Sequence, residues 1–219
     1  MKLSPYLNRS EDILRTEDDL PHWHQSHRLQ FLTWCLGDAL PIKAMLRLRR
    51  ERIRWINAHP PPHTPEENVW YFDRFIARPH RWLALGRGES IFRNPEYADL
   101  LASVLLFHEG TKCRMDAFVI MPNHVHCLVQ LIGDTTLSQL LHSWRSYSAQ
   151  QINRRRGHRG NLWSGDFWDR CIRSPAHYWK VRTYIQENPV KARLPESHYH
   201  LWTRPVPLLE DLRKKGYDC

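Results

Sequence analysis

The sequence predicts an α+β fold: a ferredoxin-like βαββαβ antiparallel sheet with a helical insertion after the first strand and an added C-terminal helix. Three observations carry this. Residues 118–131, FVIMPNHVHCLVQL, are two apolar runs broken by Pro122-Asn123, the pattern of two strands joined by a tight turn. Capping signals at Thr64, Asn94, Thr136 and Ser174 start helices on either side of that hairpin. The resulting order is strand, helices, strand, strand, helix, strand, helix. Such a sheet carries helices on one face and can leave the other open to hold a ligand or nucleic acid.

The elements follow in order. Residues 1–25 are polar and read as an irregular arm. His27–Trp34 (HRLQFLTW) alternates as a first strand. From Pro41 to about Asn57 the chain looks helical and basic, with Arg47, Arg49, Arg50, Arg52 and Arg54 on a solvated face. HPPPHTP at 59–65 is a rigid connector. Thr64-Pro65-Glu66 joins a cap, a first-turn proline and an acid at the positive end of the helix dipole; that helix runs to about Ala77. Asn94-Pro95-Glu96 repeats the signal. The face of this helix is Tyr97, Leu101, Val104, Leu105 and His108, and Gly110 ends it.

Strands at about 114–121 and 124–131 come next. Thr136-x-x-Gln139 forms a capping box for a long helix with Leu137, Leu140, Leu141, Trp144, Ser148 and Ile152 on its apolar side. RRRGHRG at 154–160 is either a basic loop that can approach a nucleic-acid backbone or a solvated helix end. Phe167–Ile172 is a fourth strand. Ser174-Pro175 starts a last helix, which Pro189 disrupts. The organisation is an arm at 1–25, one domain at 26–195 with its insertion at about 41–110, and a Pro-rich tail at 196–219 to which no chemistry is assigned.

Charge and composition bound the function. A net charge of +9 and a pI near 9.6 point to a polyanionic partner, most simply nucleic acid. Some of the ten tryptophans can stack on unpaired bases, while most serve packing. Cys35, Cys113, Cys127, Cys171 and Cys219 are scattered, with no C-x-x-C, which argues against a disulfide framework or zinc ribbon and suits a reducing cytoplasm. The N-terminus is too acidic for a signal peptide, and no apolar run approaches the ~20 residues of a membrane span. There is no Walker-type loop and no G-x-S-x-G elbow, so phosphate handling falls to basic side chains or a metal.

The chemistry gathers at His124-Val-His126. In a strand, residues i and i+2 share a face, so two imidazoles stand side by side as ligands for a divalent cation. His22-Trp-His24 and His198-Tyr-His200 have the same form but lack strand periodicity, and read as loop histidines. The last helix, AHYWKVRTYIQENP, buries Tyr178, Val181 and Ile185; Lys180, Tyr184 and Asn188 line another face at spacings of four. Tyr184 and Asn188 could be a nucleophile and a third metal ligand, or a packing residue and a helix-end residue.

MPNHVHCLVQL, then SWRSYSAQQINRRRGHRGNLWSGDFWDRCIRS, then HYWKVRTYIQENPVKARL resembles the REP-associated tyrosine transposases, relatives of the HUH-type, IS200-like single-strand transposases. The resemblance runs from roughly Ser26 to Leu194. It implies metal-binding histidines at His124 and His126, a catalytic tyrosine at Tyr184 and a third metal ligand at Asn188, with Mg2+ or Mn2+ as cofactor. Two imidazoles alone would suit zinc, nickel or manganese better than magnesium. The implied partner is single-stranded DNA with palindromic REP hairpins, cleaved and rejoined through a 5′-phosphotyrosine by a monomer.

With the basic composition, the resemblance assigns DNA contact to Arg145, Arg154, Arg155, Arg156, Arg159, Trp163, Trp168, Arg170, Lys180 and Lys191. Arg193 stands where the family has a glycine, which predicts a different chain exit from the last helix. The competing readings are a non-catalytic hairpin-binding protein and a metal-dependent nuclease that uses water.

Overall fold

The computed structural model describes residues 4–7, 14–17, 21–24, 27–60 and 63–217. It begins with a two-stranded ladder, β1 (Leu14–Glu17) against β2 (Pro21–His24), in the arm expected to be irregular. His22 and His24 therefore lie in a strand, not a loop.

The main sheet has five strands: β3 (Leu29–Leu36), β4 (Cys113–Met121), β5 (His124–Leu131), β6 (Trp163–Cys171) and β7 (His200–Thr203). Their spatial order is β6-β3-β5-β4-β7, with every neighbouring pair antiparallel. β5 lies between β3 and β4, which is the split arrangement of the ferredoxin-like unit. β6 starts four residues before the expected Phe167, and β7 extends the β4 edge. The tail is thus ordered structure: His200 belongs to β7, and α7 (Leu208–Lys214) follows it.

Every residue of β5 is buried, so both faces of the sheet are covered. On one face Leu32, Trp34, Phe118, Ile120, Val125 and Cys127 pack against α4 (Pro95–Leu106) and α5 (Leu137–Arg156). On the other, Leu29, Ala117, Val119, Met121 and Leu128 pack against α7 and α6 (Pro175–Lys191). The expectation of one open face is therefore corrected: the C-terminal helices close it. α6 also runs through Pro189 instead of stopping there. Only two residues of the helix follow the proline, and its ring is buried, so the lost N–H removes little.

Local signals place the helix starts. Thr64 and Glu67 form a reciprocal capping box, as do Thr136 and Gln139, while Asn94 and Ser174 accept from Glu96 N–H and His177 N–H. The insertion comprises α1 (Ile42–Ala58), α2 (Pro65–Phe72), a π-helical turn at Asp73–Ala77 and α3 (Arg78–Leu83). Pro79 has no N–H to continue the α-helical ladder, and the π turn just before it absorbs that interruption. Leu48, Trp55 and Phe75 give the insertion a small core of its own. Arg52, expected on a solvated face, is buried beside this core, with its Nε donating to the Tyr71 hydroxyl. No helix among the described residues is long and apolar enough to cross a membrane.

Candidate active site

Strand alternation sets His124 and His126 on the face of the sheet that α6 covers. Their ring centroids are 4.8 Å apart, nearly perpendicular, and the residues are 2% and 1% exposed. Each Nδ1 is engaged. That of His124 lies 2.7 Å from Asn123 Oδ1, and the Asn123 amide is oriented by donating its Nδ2 hydrogen to the Arg87 carbonyl at 2.8 Å. Asn123 therefore presents an acceptor, His124 carries its proton on Nδ1, and the Nε2 lone pair is left for a ligand. The Nδ1 of His126 lies 2.7 Å from Thr33 Oγ1 on the paired strand β3.

α6 brings Tyr184 over this pair, with its hydroxyl 3.5 Å from His126 Nε2 and the two rings edge to face at 5.3 Å. The phenol thus borders the nitrogen that a cation would use. Asn188 follows one turn later; it is near enough to the phenol to lower its pKa in part, yet its buried Nδ2 completes no hydrogen bond. Among the described residues no three His, Cys, Asp or Glu side chains stand in a geometry that holds an ion. A cation taken by the two histidines needs a further donor of another kind, and the carboxamide oxygen of Asn188, one helical turn beyond Tyr184, is of the hard type that could supply it; the unpaired Nδ2 is a hydrogen-bond donor and would not.

Sequence reasoning missed three participants. Phe31 stacks on His126 at 5.7 Å and meets Tyr184 edge-on at 5.9 Å. Thr33 orients His126. His80, from α3 of the insertion, places its ring 5.4 Å from His126 and 6.5 Å from Tyr184. The period-2 pattern of β3 could have pointed to Thr33, but nothing in the sequence near His80 links it to the hairpin.

Burial governs the electrostatics. It holds His124 down to about 3, with the neighbouring His80 adding to the effect, and puts His126 well below 6.5 with help from His124 and His80. It lowers His80 to about 4, assisted by Arg170. All three rings are neutral at physiological pH, as metal-ligating imidazoles must be. Burial raises the Tyr184 phenol above its ordinary value, with Asn188 offsetting part of the rise, so any nucleophilic use of it would need activation.

The residues expected to contact DNA are dispersed. Arg156 and Arg159, with Arg49 of α1, line a groove of about 710 Å³ that also includes Cys35, the strand partner of His124, but none of His124, His126 and Tyr184. Arg154 is exposed nearby, Arg155 pairs with Glu96, and Arg156 pairs with Glu89. Arg145 donates to the Ser164 carbonyl at the start of β6. Trp163 is buried against Phe92, with its Nε1 donating to the Arg145 carbonyl and Ser148 Oγ, so it packs the core while also lining the groove. Trp168 is buried edge-on to His80. Arg170 lies over the Phe72 ring at 4.7 Å, Lys180 is exposed, and Lys191 pairs with Glu187.

Residues 83–188 match the family model described as Transposase IS200 like, a span that holds the hairpin, Tyr184 and Asn188 but stops short of His80. Two solved structures resemble the chain. One is a REP-associated tyrosine transposase bound to a REP hairpin, 19% identical, covering 78% of this chain and 71% of that one, with a TM-score of 0.38. The other is a candidate transposase from Deinococcus radiodurans R1, 13% identical, covering 75% and 93%, with a TM-score of 0.36. No curated protein matches the sequence significantly. The similarity to IS200-like transposases thus spans a little under half of the chain and includes His124, His126, Tyr184 and Asn188.

Proposed function

We propose that this protein is an IS200-like transposase, a metal-dependent single-strand DNA endonuclease that cuts and rejoins DNA at REP-type palindromic hairpins through Tyr184. One observation carries the reading: the Tyr184 hydroxyl lies 3.5 Å from Nε2 of His126, beside an imidazole pair whose Nδ1 atoms are already engaged. The hairpin substrate is what the sequence resemblance implies. The groove bearing Arg156 and Arg159, which shares Cys35, the strand partner of His124, supports a DNA backbone lying near the site.

His124, His126 and Asn188 would hold the cation, Mg2+ or Mn2+, which when bound neutralises charge at the phosphodiester. The Tyr184 oxygen forms a bond to phosphorus, and the bond from phosphorus to the 3′ oxygen breaks. The phenol gives up its proton and the departing 3′ oxygen takes one, leaving a 5′-phosphotyrosine and a free 3′-hydroxyl. One phosphodiester replaces another, so the reverse attack by a 3′-hydroxyl rejoins DNA without an external energy source.

The test is incubation of the protein with labelled single-stranded hairpin oligonucleotides and Mn2+, followed by denaturing protein electrophoresis. A labelled covalent band is expected in the wild type and not in Tyr184→Phe or His124→Ala/His126→Ala. Cleavage without an adduct, unchanged in Tyr184→Phe, would identify a water-using nuclease. Binding without cleavage across hairpins that include the gene's own flanking repeats would identify a binding protein.

A further inference from the structure

The insertion brings to the site a side chain that a histidine pair and a tyrosine do not require. His80 places its Nε2 in a buried position with no hydrogen-bond partner. Its ring is surrounded by His126, Tyr184, Trp168 and Phe31, with centroids between 5.4 and 6.5 Å. Buried polar atoms in folded proteins are nearly always paired, so an orphan nitrogen on a ring packed beside His126 and Tyr184 is a candidate place for a ligand to fill.

A second observation lies alongside. Arg170 is opposite Phe31 in the β3–β6 register, on the face that carries Trp168, and is close enough to His80 to push down the imidazole pKa. The guanidinium is itself partly desolvated, its pKa lowered chiefly by burial. It rests on the Phe72 ring, and among the described residues it forms no ion pair. A desolvated guanidinium without a carboxylate is costly unless an anion comes to it, and its planar fork matches a phosphate.

We propose that His80 and Arg170 form an anion subsite beside Tyr184 that takes a non-bridging oxygen of the phosphodiester under attack. This placement rests on the reading of Tyr184 as the nucleophile. His80 donates through Nε2 in its neutral form and Arg170 supplies the charge. His80 does not join the histidine pair in an ion-holding geometry, so its ligand is the phosphate and not the cation. Because His80 rides on α3, the insertion completes the site only when docked against the sheet.

The first probe is inorganic phosphate, titrated calorimetrically against wild type, His80→Ala, Arg170→Gln and Tyr184→Phe. Wild type and Tyr184→Phe are expected to bind alike. The other two should lose roughly tenfold or more in affinity, as befits a charge-assisted hydrogen bond. Equal phosphate affinity in all four proteins would overturn the subsite. The second readout is the rate of adduct formation on a hairpin oligonucleotide, set against Mn2+ affinity and thermal melting. The rate should fall in His80→Ala and partly recover in His80→Gln, with Mn2+ affinity and melting unchanged. A parallel loss of Mn2+ affinity in His80→Ala would make His80 a metal ligand and overturn the assignment. If wild type forms no adduct on any hairpin, the reading of Tyr184 fails, while the phosphate titration still decides the subsite.

Discussion

Thr33 Oγ1 and His126 Nδ1 stand 2.7 Å apart, joining two side chains that face each other across β3 and β5. The contact is wholly buried and holds the His126 ring with Nε2 turned toward Tyr184. Hydrogen bonds of this outer kind typically govern metal affinity by roughly 10–100-fold. Thr33→Val keeps the β-branched shape and removes the oxygen. It should weaken Mn2+ binding by about that factor, with circular dichroism unchanged. Calorimetric titration checks this, and an unaltered Mn2+ affinity would show that packing by Phe31 alone orients the ring.

The buried imidazoles make stability depend on acid. His124 titrates at about 3 in the folded protein and near the ordinary 6.5 when unfolded. Between those values only the unfolded chain takes the proton, so stability falls as pH falls; above about 6.5 the ring contributes no pH dependence. By pH 5 the loss is on the order of 2 kcal/mol for His124 alone. His126 and His80 shift in the same direction and steepen the decline. Melting temperature should be level near neutrality and drop below about pH 6.5, with a shallower slope in His124→Ala/His126→Ala. A level profile down to pH 4 would contradict the depressed values.

What was legible in the sequence was local. The Pro122-Asn123 turn, the Thr136–Gln139 capping box and the Ser174 cap each depend on residues within a few positions, and all form as the pattern indicated. The closing of the second sheet face was not legible, because Leu208, Leu209 and Leu212 lie in a short Pro-flanked segment whose partner strands are distant in sequence. His80 was hidden for a related reason. Its helix looks like the tail of an amphipathic segment, and only the π turn before Pro79 and the docking of the insertion bring the ring to His126. Arg52 shows the converse: in a run of arginines nothing marks the one that Tyr71 holds inside.

Asp116 ties the added C-terminal elements to the sheet. Its carboxylate accepts from the Tyr178 hydroxyl at 2.7 Å, the Leu208 N–H at 2.7 Å and Arg182 Nε at 3.2 Å. Burial nevertheless raises its pKa, so desolvation outweighs these donors. Replacing such a group is costly chiefly through what it strands. Asp116→Ala leaves Arg182, Tyr178 and the Leu208 amide without their acceptor and should cost about 3–5 kcal/mol. Denaturant unfolding measures this, and a loss below about 1 kcal/mol would mean that water replaces the carboxylate.

Arg193 leaves α6 with φ at +52°, the left-handed region that glycine occupies without strain. The sequence departure predicted a different exit from the helix, but the backbone turns as a glycine would, and the arginine carries the strain. A side chain in this conformation costs roughly 1–2 kcal/mol, part of which the greater freedom of glycine in the unfolded chain cancels. Arg193→Gly should therefore stabilise the protein by about 1 kcal/mol, raising Tm by roughly 2–4 °C for a chain of this size. It also removes a cation just beyond the turn of helix that carries Asn188, so DNA binding should become slightly less sensitive to salt. A higher Tm with an unchanged salt slope would confine Arg193 to the backbone turn. A lower Tm would mean that its side chain contributes more to folding than its backbone costs.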